Sequence, residues 1–130
     1  MTRDDYYTLI RRLAQLLFEK KGSQIIALDL QGISSTTDYL LIANGNVERH
    51  VLALAIEIEK MTRRTAKMKL YHEEGKGNGD WVVLDYFDLM IHLFIPSMRQ
   101  KYQLDRLWPE ARVIDLDLNL NPASPQVFYS

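Results

Sequence analysis

Four aspartates near the ends of predicted strands are the residues best suited to catalysis: Asp29, Asp38, Asp85 and Asp88. In a phosphotransferase, two strand carboxylates at i and i+2 face the same way and can hold a magnesium ion. Asp85 and Asp88 are three positions apart, and the other two lie on separate elements. The glycines between residues 75 and 79 lack the following helix and the Lys-Ser/Thr pair of a phosphate loop. We therefore predict turn or cap roles, no catalytic residue and no cofactor, with a nucleotide-binding or nucleotidyltransferase enzyme as the alternative.

The other groups that usually bind metals or act as nucleophiles are sparse. The chain has no cysteine, which excludes disulfides, thiolate chemistry and cysteine-based zinc sites. None of His50, His72 and His92 is paired at i, i+4 spacing with another ligand, so we predict no metal site. His92 lies in an apolar strand, where a histidine is most often a hydrogen-bonded structural residue, and contact with a partner is the second interpretation.

Large aromatic side chains are concentrated between residues 80 and 108: Trp81, Tyr86, Phe87, Tyr102 and Trp108. One hairpin and one short helix can bury only some of these rings. Trp and Tyr are also the residues most enriched at binding hot spots. The residues alone leave two interpretations equally open, a purely structural core and a core combined with an interface.

The charge balance limits the class of partner. The formal net charge is -1, whereas a general nucleic-acid binder carries a strong basic excess. A basic run (Lys60, Arg63, Arg64, Lys67 and Lys69) is typical of a solvated helix end and strand edge. It could touch phosphate, but aromatic stacking residues are not interleaved with it in the sequence. Contact with an RNA-rich particle is therefore expected to be local or to go through protein.

Hydrophobic periodicity predicts one α/β domain. Tyr6, Leu9, Ile10 and Leu13 begin the apolar stripe of a first helix, which Thr2 or Asp4 can cap. Strands are predicted at 24–30 and 38–43, the second apolar on both faces, as for a strand covered on both sides. A second helix follows at 47–62, with Asn46 as its N-cap.

The second half of the chain is predicted to add strands to the same sheet. A strand is expected at 67–71, a mobile loop at 73–79 and a hairpin of strands 81–85 and 89–95. A short helix begins at Pro96 and runs to about residue 107. Residues 113–118 could add an edge strand or stay loose, and 121–130 are expected to be disordered. This order predicts a single mixed β-sheet of about five strands with helices packed on it.

The N-terminus resembles no signal peptide, and no apolar run approaches the roughly 20 residues that span a bilayer. We expect a soluble, cytoplasmic protein with no membrane partner.

Three motifs together carry a family resemblance. They are DWVVLDYFDLMIHLF at 80–94, RQKYQLDRLW at 99–108, and ALDLQGISSTTDY at 27–39. From about Tyr6 to Trp108 the chain resembles the ribosomal silencing factor family, also called the Iojap family. The resemblance implies a nucleotidyltransferase-like topology without the catalytic set, in a domain of residues 1–108 followed by a partly disordered C-terminal extension, 109–130.

The resemblance also implies a function and a site. Members of the family bind the large ribosomal subunit through ribosomal protein L-fourteen and sterically block association with the small subunit, which represses translation. Carried over residue by residue, the partner-binding positions are Trp81, Tyr86 and Asp88, with Met90 and Met98 as expected neighbours. The implied protein is a monomer or weak homodimer with at most a minor contact to ribosomal RNA.

One position departs from the family pattern inside this motif. Phe87 stands where the family usually has glycine. If that position needs a positive φ, phenylalanine must strain or reshape the turn.

Overall fold

A computed structural model describes residues 1–120 of the chain. Within that range, the elements in chain order are α1 (Arg3–Glu19), β1 (Ser23–Asp29), β2 (Tyr39–Asn44), α2 (Glu48–Met61), β3 (His72–Glu74), β4 (Trp81–Asp85), β5 (Leu89–Phe94), α3 (Pro96–Tyr102) and β6 (Arg112–Val113). One π-helical turn, Thr62–Ala66, follows α2, and one 3-10 turn, Leu104–Arg106, follows α3. None of the helices in residues 1–120 is long and apolar enough to cross a membrane.

The strands form one six-stranded sheet in the order β3-β4-β5-β2-β1-β6. β2 and β5 run parallel, and the other neighbouring pairs are antiparallel. The predicted single mixed sheet is confirmed, and it has six strands where about five were expected. α2 lies on the connection that takes the chain from β2 to its parallel partner, β5.

α1 and α2 cover one face of the sheet. Thr2 caps α1 in a capping box with Asp5, so the predicted cap is confirmed. The stripe that begins with Tyr6, Leu9 and Ile10 is buried against the sheet and against Val51 and Leu54 of α2. Every residue of β2 is buried, as its two-sided apolar pattern predicts. This helix-covered face contains the larger part of the core.

Three local predictions are wrong. No strand forms at 67–71, because Lys67 takes a left-handed φ of 51° after the π-helical turn and pairing with β4 begins only at His72. Asn46 is not the N-cap of α2; Val47 is, and the Asn46 N–H donates instead to His50 Nδ1. The helix after Pro96 ends at Tyr102 because Gln103 takes a positive φ of 40°.

The segment after Trp108 contributes to the same sheet. β6 pairs with β1, and Ile114 is 3% exposed within the helix-side core. An edge strand was one of the two possibilities for residues 113–118, and a short one forms at residues 112–113. The domain boundary at residue 108 stays a prediction, and the predicted disorder of residues 121–130 lies outside the described residues.

Candidate partner-binding surface

The second face of the sheet is only partly covered. α3 and the segment that follows it pack on this face against a smaller apolar cluster that includes Leu28, Leu40 and Ile42. Side chains of a strand alternate between faces, and Trp81 on β4 pairs directly with Phe94 on β5. Trp81, Met90 and Phe94 all belong to this second cluster, which we call the open face.

Trp81 is the centre of an aromatic group on the open face. Its ring centroid lies 4.8 Å from that of Phe94 and 4.7 Å from that of Tyr102. The centroid of the His92 ring lies 5.9 Å from that of Trp81. Trp81 is half-buried and Tyr102 is 44% exposed, so this aromatic group reaches the surface. Ring contacts of this kind fix the orientation of the indole before any partner arrives.

A hydrogen bond also fixes the Trp81 indole. Trp81 Nε1–H donates to His92 Nδ1 over 2.9 Å. Indole nitrogen is a donor only, so Nδ1 of His92 must be unprotonated and the ring proton must be on Nε2. Burial lowers the pKa of His92 to about 4, which keeps the ring neutral at physiological pH. The predicted hydrogen-bonded role of His92 is thus confirmed.

Arg99 fixes α3 to the sheet. Its guanidinium donates to the Gln24 carbonyl at 2.7 Å and to Asn44 Oδ1 at 2.9 Å, and it lies 3.7 Å from Asp105. These contacts join the helix to the ends of β1 and β2. They hold Met98 and Tyr102 of α3 beside the strands of the open face.

Four side chains on the open face form one candidate binding patch: Trp81, Met90, Met98 and Tyr102. We call this set the open-face patch. It joins rigid aromatic rings to flexible methionines, the combination that suits an apolar partner surface. Three of the five predicted partner-binding residues, Trp81, Met90 and Met98, come together here.

Tyr86 lies on the other side of the sheet. It is 4% exposed within the helix-side core, and its hydroxyl is 2.8 Å from Thr62 Oγ1. Trp81 and Tyr86 are five positions apart, and an odd separation along an extended hairpin strand reverses the face. The structure therefore does not bring Tyr86 together with Trp81.

Asp88 lies at the turn of the β4–β5 hairpin. Its Oδ2 accepts a hydrogen bond from the Tyr6 hydroxyl at 3.1 Å, and its carbonyl accepts from the backbone N–H groups of Asp38 and Tyr39. Burial, followed by the hydrogen bond to Asp88, raises the pKa of Tyr6 to about 12. Asp88 is half-buried and connects the turn to α1 and β2.

The turn between β4 and β5 places Phe87, which stands at the usual glycine position, in a conformation that favours glycine. Phe87 has a φ of 76°, in the left-handed region. The Asp88 N–H bonds to the Tyr86 carbonyl across it, and the Phe87 N–H donates to Asp85 Oδ1 at 2.8 Å. A three-residue turn of this hand is strained for any residue with a Cβ. Phe87 thus adopts this left-handed conformation at a cost in backbone strain.

The candidate catalytic carboxylates make structural contacts rather than forming one site. Asp29 is fully buried and accepts from Tyr7 at 2.8 Å, from the Gln31 N–H at 3.0 Å and from Arg112 at 3.3 Å. Burial works to raise the pKa of Asp29, but these hydrogen bonds outweigh it and the pKa is lowered. In residues 1–120, no three His, Asp or Glu side chains are grouped closely enough to hold a metal ion.

Sequence reasoning missed one member of the open-face patch, Tyr102. Tyr102 carries no signal of this role in the sequence, because only the docking of α3 brings its ring to Trp81.

Known proteins resemble this chain over most of its length. The family described as "Ribosomal silencing factor during starvation" matches residues 3–127. A ribosomal silencing factor from Bacillus subtilis is 33% identical over 88% of this chain and 96% of the relative. A mouse protein named for mitochondrial assembly of the ribosomal large subunit is 31% identical over 76% of this chain and 44% of the relative.

A solved structure agrees with the fold. A crystal structure of a protein from Chromobacterium violaceum superimposes with a TM-score of 0.73 at 29% identity, covering 83% of this chain and 87% of that one. The family match runs through α1, the sheet, the strained hairpin turn and the segment beyond Trp108. The chain belongs to the ribosomal silencing factor family.

Proposed function

We propose that this protein binds the large ribosomal subunit through ribosomal protein L-fourteen, with the open-face patch as the contact, and thereby blocks association with the small subunit. Its family supports a translation-regulating, ribosome-associated function. The mouse relative, named for assembly of the ribosomal large subunit, favours the large subunit as the site of binding. The action is then repression of translation in the cytoplasm.

The single observation that carries the contact is the preorganised Trp81 indole. The ring is held by one hydrogen bond and three ring contacts, yet remains half-buried rather than fully enclosed. A side chain already fixed in its binding orientation loses little entropy when a partner covers it. Met90 and Met98 beside it can adjust to the shape of that partner.

Tyr86 and Asp88, at the hairpin turn, are proposed to have different roles. The Tyr86 hydroxyl is occupied by Thr62, so its ring serves to anchor the end of β4. Asp88 is half-buried and uses Oδ2 for Tyr6, which leaves its other carboxylate oxygen as the group available to a basic partner residue. Only Asp88 of the two is proposed to touch L-fourteen directly.

The proposal also covers catalysis, oligomeric state and contact with RNA. The protein acts without catalysis, as a monomer or weak homodimer, and contact with ribosomal RNA is minor. The engagement of Asp29 and Asp88 by Tyr7, Arg112 and Tyr6 argues against a metal-dependent nucleotidyl transfer at these carboxylates. Calorimetry with magnesium and a nucleoside triphosphate tests this alternative, and heat of binding that Asp29→Asn or Asp88→Asn removes would favour the enzyme.

Binding to isolated L-fourteen tests the proposed contact. Tyr102→Ala removes a 44% exposed ring, and Met98→Ala trims a half-buried side chain, so both variants should fold. Each is expected to weaken binding about tenfold if the patch is the hot spot. Ile56→Ala is the control, because Ile56 is 49% exposed but lies on α2, which covers the opposite face of the sheet. Equal affinity of all three variants and the wild type would refute the assignment.

A further inference from the structure

Two exposed aromatic rings meet at the β3 edge of the sheet, away from the open-face patch. Tyr71 is 63% exposed and Phe87 is 66% exposed, and their ring centroids are 5.7 Å apart. Tyr71 reaches this position because its backbone N–H bonds to the Asp85 carbonyl. Phe87 is held there in a strained left-handed conformation. Backbone strain that displays an apolar ring to solvent is more typical of a binding site than of a stabilising contact.

Positive charge lies beside this pair, on the side of Lys69. Lys69 Nζ lies 5.4 Å from the centroid of the Tyr71 ring. Residues 60–72 contain the whole basic run named above and no acidic residue, in a chain with a net charge of -1. Among the described residues, Arg63, Arg64, Lys67 and Lys69 form no ion pair with an acidic side chain. These cations are therefore available to an anionic ligand.

Two clefts meet at Lys69 and join the charge to the rings. One cleft of about 340 Å³ is lined by Arg63 and Lys69, and the other, of about 210 Å³, by Lys69, Tyr71 and Phe87. Glu59 also lines the first cleft, but Lys76 forms a salt bridge with it. The first cleft thus offers cations without a free opposing charge. The second offers stacking surfaces, and Asp88 also lines it, with Oδ2 accepting a hydrogen bond from Tyr6.

We propose that this aromatic–basic edge, formed by Arg63, Lys69, Tyr71 and Phe87, binds single-stranded RNA. Exposed bases stack on the rings of Tyr71 and Phe87, and phosphates lie against Arg63 and Lys69. The cations complement the charge of a nucleic-acid backbone, whereas a purely apolar protein partner would leave them desolvated and unpaired. The inference rests on the proposed function only for the source of the RNA, which is then the large subunit beside the L-fourteen contact.

The fold brings together aromatic rings and basic residues that are separated in the sequence. Aromatic residues are not interleaved with the basic run along the chain, and Phe87 follows Lys69 by eighteen positions. Pairing of β3 with β4 brings the hairpin turn back beside residues 69–71. The stacking surface and the phosphate-binding charge therefore become neighbours only in three dimensions.

Fluorescence anisotropy of the full chain with a labelled, mixed-sequence single-stranded RNA of about 12 nucleotides tests the proposal. Tyr71→Ala and Phe87→Ala should each weaken binding about tenfold, and Lys69→Gln should reduce the dependence of affinity on salt. An RNA duplex of the same sequence should bind more weakly, because its bases are already stacked.

Tyr102→Ala is the matched control. Tyr102 is also an exposed tyrosine, with Lys101 Nζ at the same 5.4 Å from its ring, but it packs on Trp81 on the open face. Its removal should leave RNA affinity unchanged while weakening the binding of L-fourteen. Absence of RNA binding by the wild type, equal binding of the duplex, or equal loss in Tyr102→Ala overturns the RNA site. Retained binding to L-fourteen in that case leaves the proposed function intact.

Discussion

Protonation of His92 should destabilise the protein as the pH falls below neutral. In the folded protein, burial lowers the pKa of His92 from 6.5 to about 4, and its Nδ1 accepts the Trp81 indole proton. The unfolded chain therefore binds a proton on this ring at a higher pH than the folded protein does. The stabilisation is complete above about pH 6.5 and is lost as the pH falls toward 4.

The size of this effect follows from the difference between the two pKa values. A difference of roughly 2.5 units corresponds to about 3 kcal/mol of unfolding free energy when the pH has fallen through both values. Between pH 7 and pH 5 the loss is about 2 kcal/mol. This is a large part of the stability expected for a domain of this size, which is about 5–15 kcal/mol.

Urea unfolding followed by far-ultraviolet circular dichroism at about pH 7 and pH 5 measures the loss. The control is His92→Asn, which keeps an acceptor near the position of Nδ1 but cannot titrate. Between the two pH values the variant should lose about 2 kcal/mol less stability than the wild type. Equal losses in the two proteins, or a His92 pKa near its ordinary value by NMR, would refute the reasoning.

Three further changes have defined outcomes in urea unfolding. Phe87→Gly relieves the left-handed strain but adds freedom to the unfolded chain, so stability should stay equal or rise by up to about 1 kcal/mol; a loss larger than that would contradict the strain. Gly75→Ala would bring Cβ to 1.8 Å from the Trp81 carbonyl oxygen at a φ of 88°, and should cost about 2 kcal/mol or more, whereas Gly77→Ala has open space and should be close to neutral. Asp29→Ala leaves the Tyr7 hydroxyl and the Gln31 N–H without their acceptor and should cost about 1–3 kcal/mol; a neutral result would show that this network adds nothing to stability.

Most of the fold follows from patterns that are local in the chain. The stripe of α1 repeats with a helical period, whereas the short apolar runs of β2 and of the β4–β5 hairpin are bounded by turn residues. The failed strand at 67–71 had a suitable alternation at Met68 and Leu70, but these side chains pack on the core from an irregular segment. The left-handed Lys67 before them has no sequence signal, since lysine rarely takes that conformation.

Only part of the candidate site could be predicted from the sequence. Trp81, Met90 and Met98 were named through the family resemblance, and the fold brings these three together on the open face. Tyr86 was named through the same resemblance, although its odd separation from Trp81 along an extended strand indicates the opposite face. The pair of Tyr71 and Phe87 depends on the pairing of β3 with β4, which local patterns do not specify.

Co-sedimentation with isolated large ribosomal subunits, followed by a subunit-joining assay, tests the proposed function most directly. The wild type should sediment with the large subunit and reduce the formation of joined ribosomes when small subunits are added. Tyr102→Ala should do both less well, because it removes an exposed ring from the open-face patch. Failure of the wild type to bind, or binding that leaves subunit joining unchanged, would contradict the proposed mechanism.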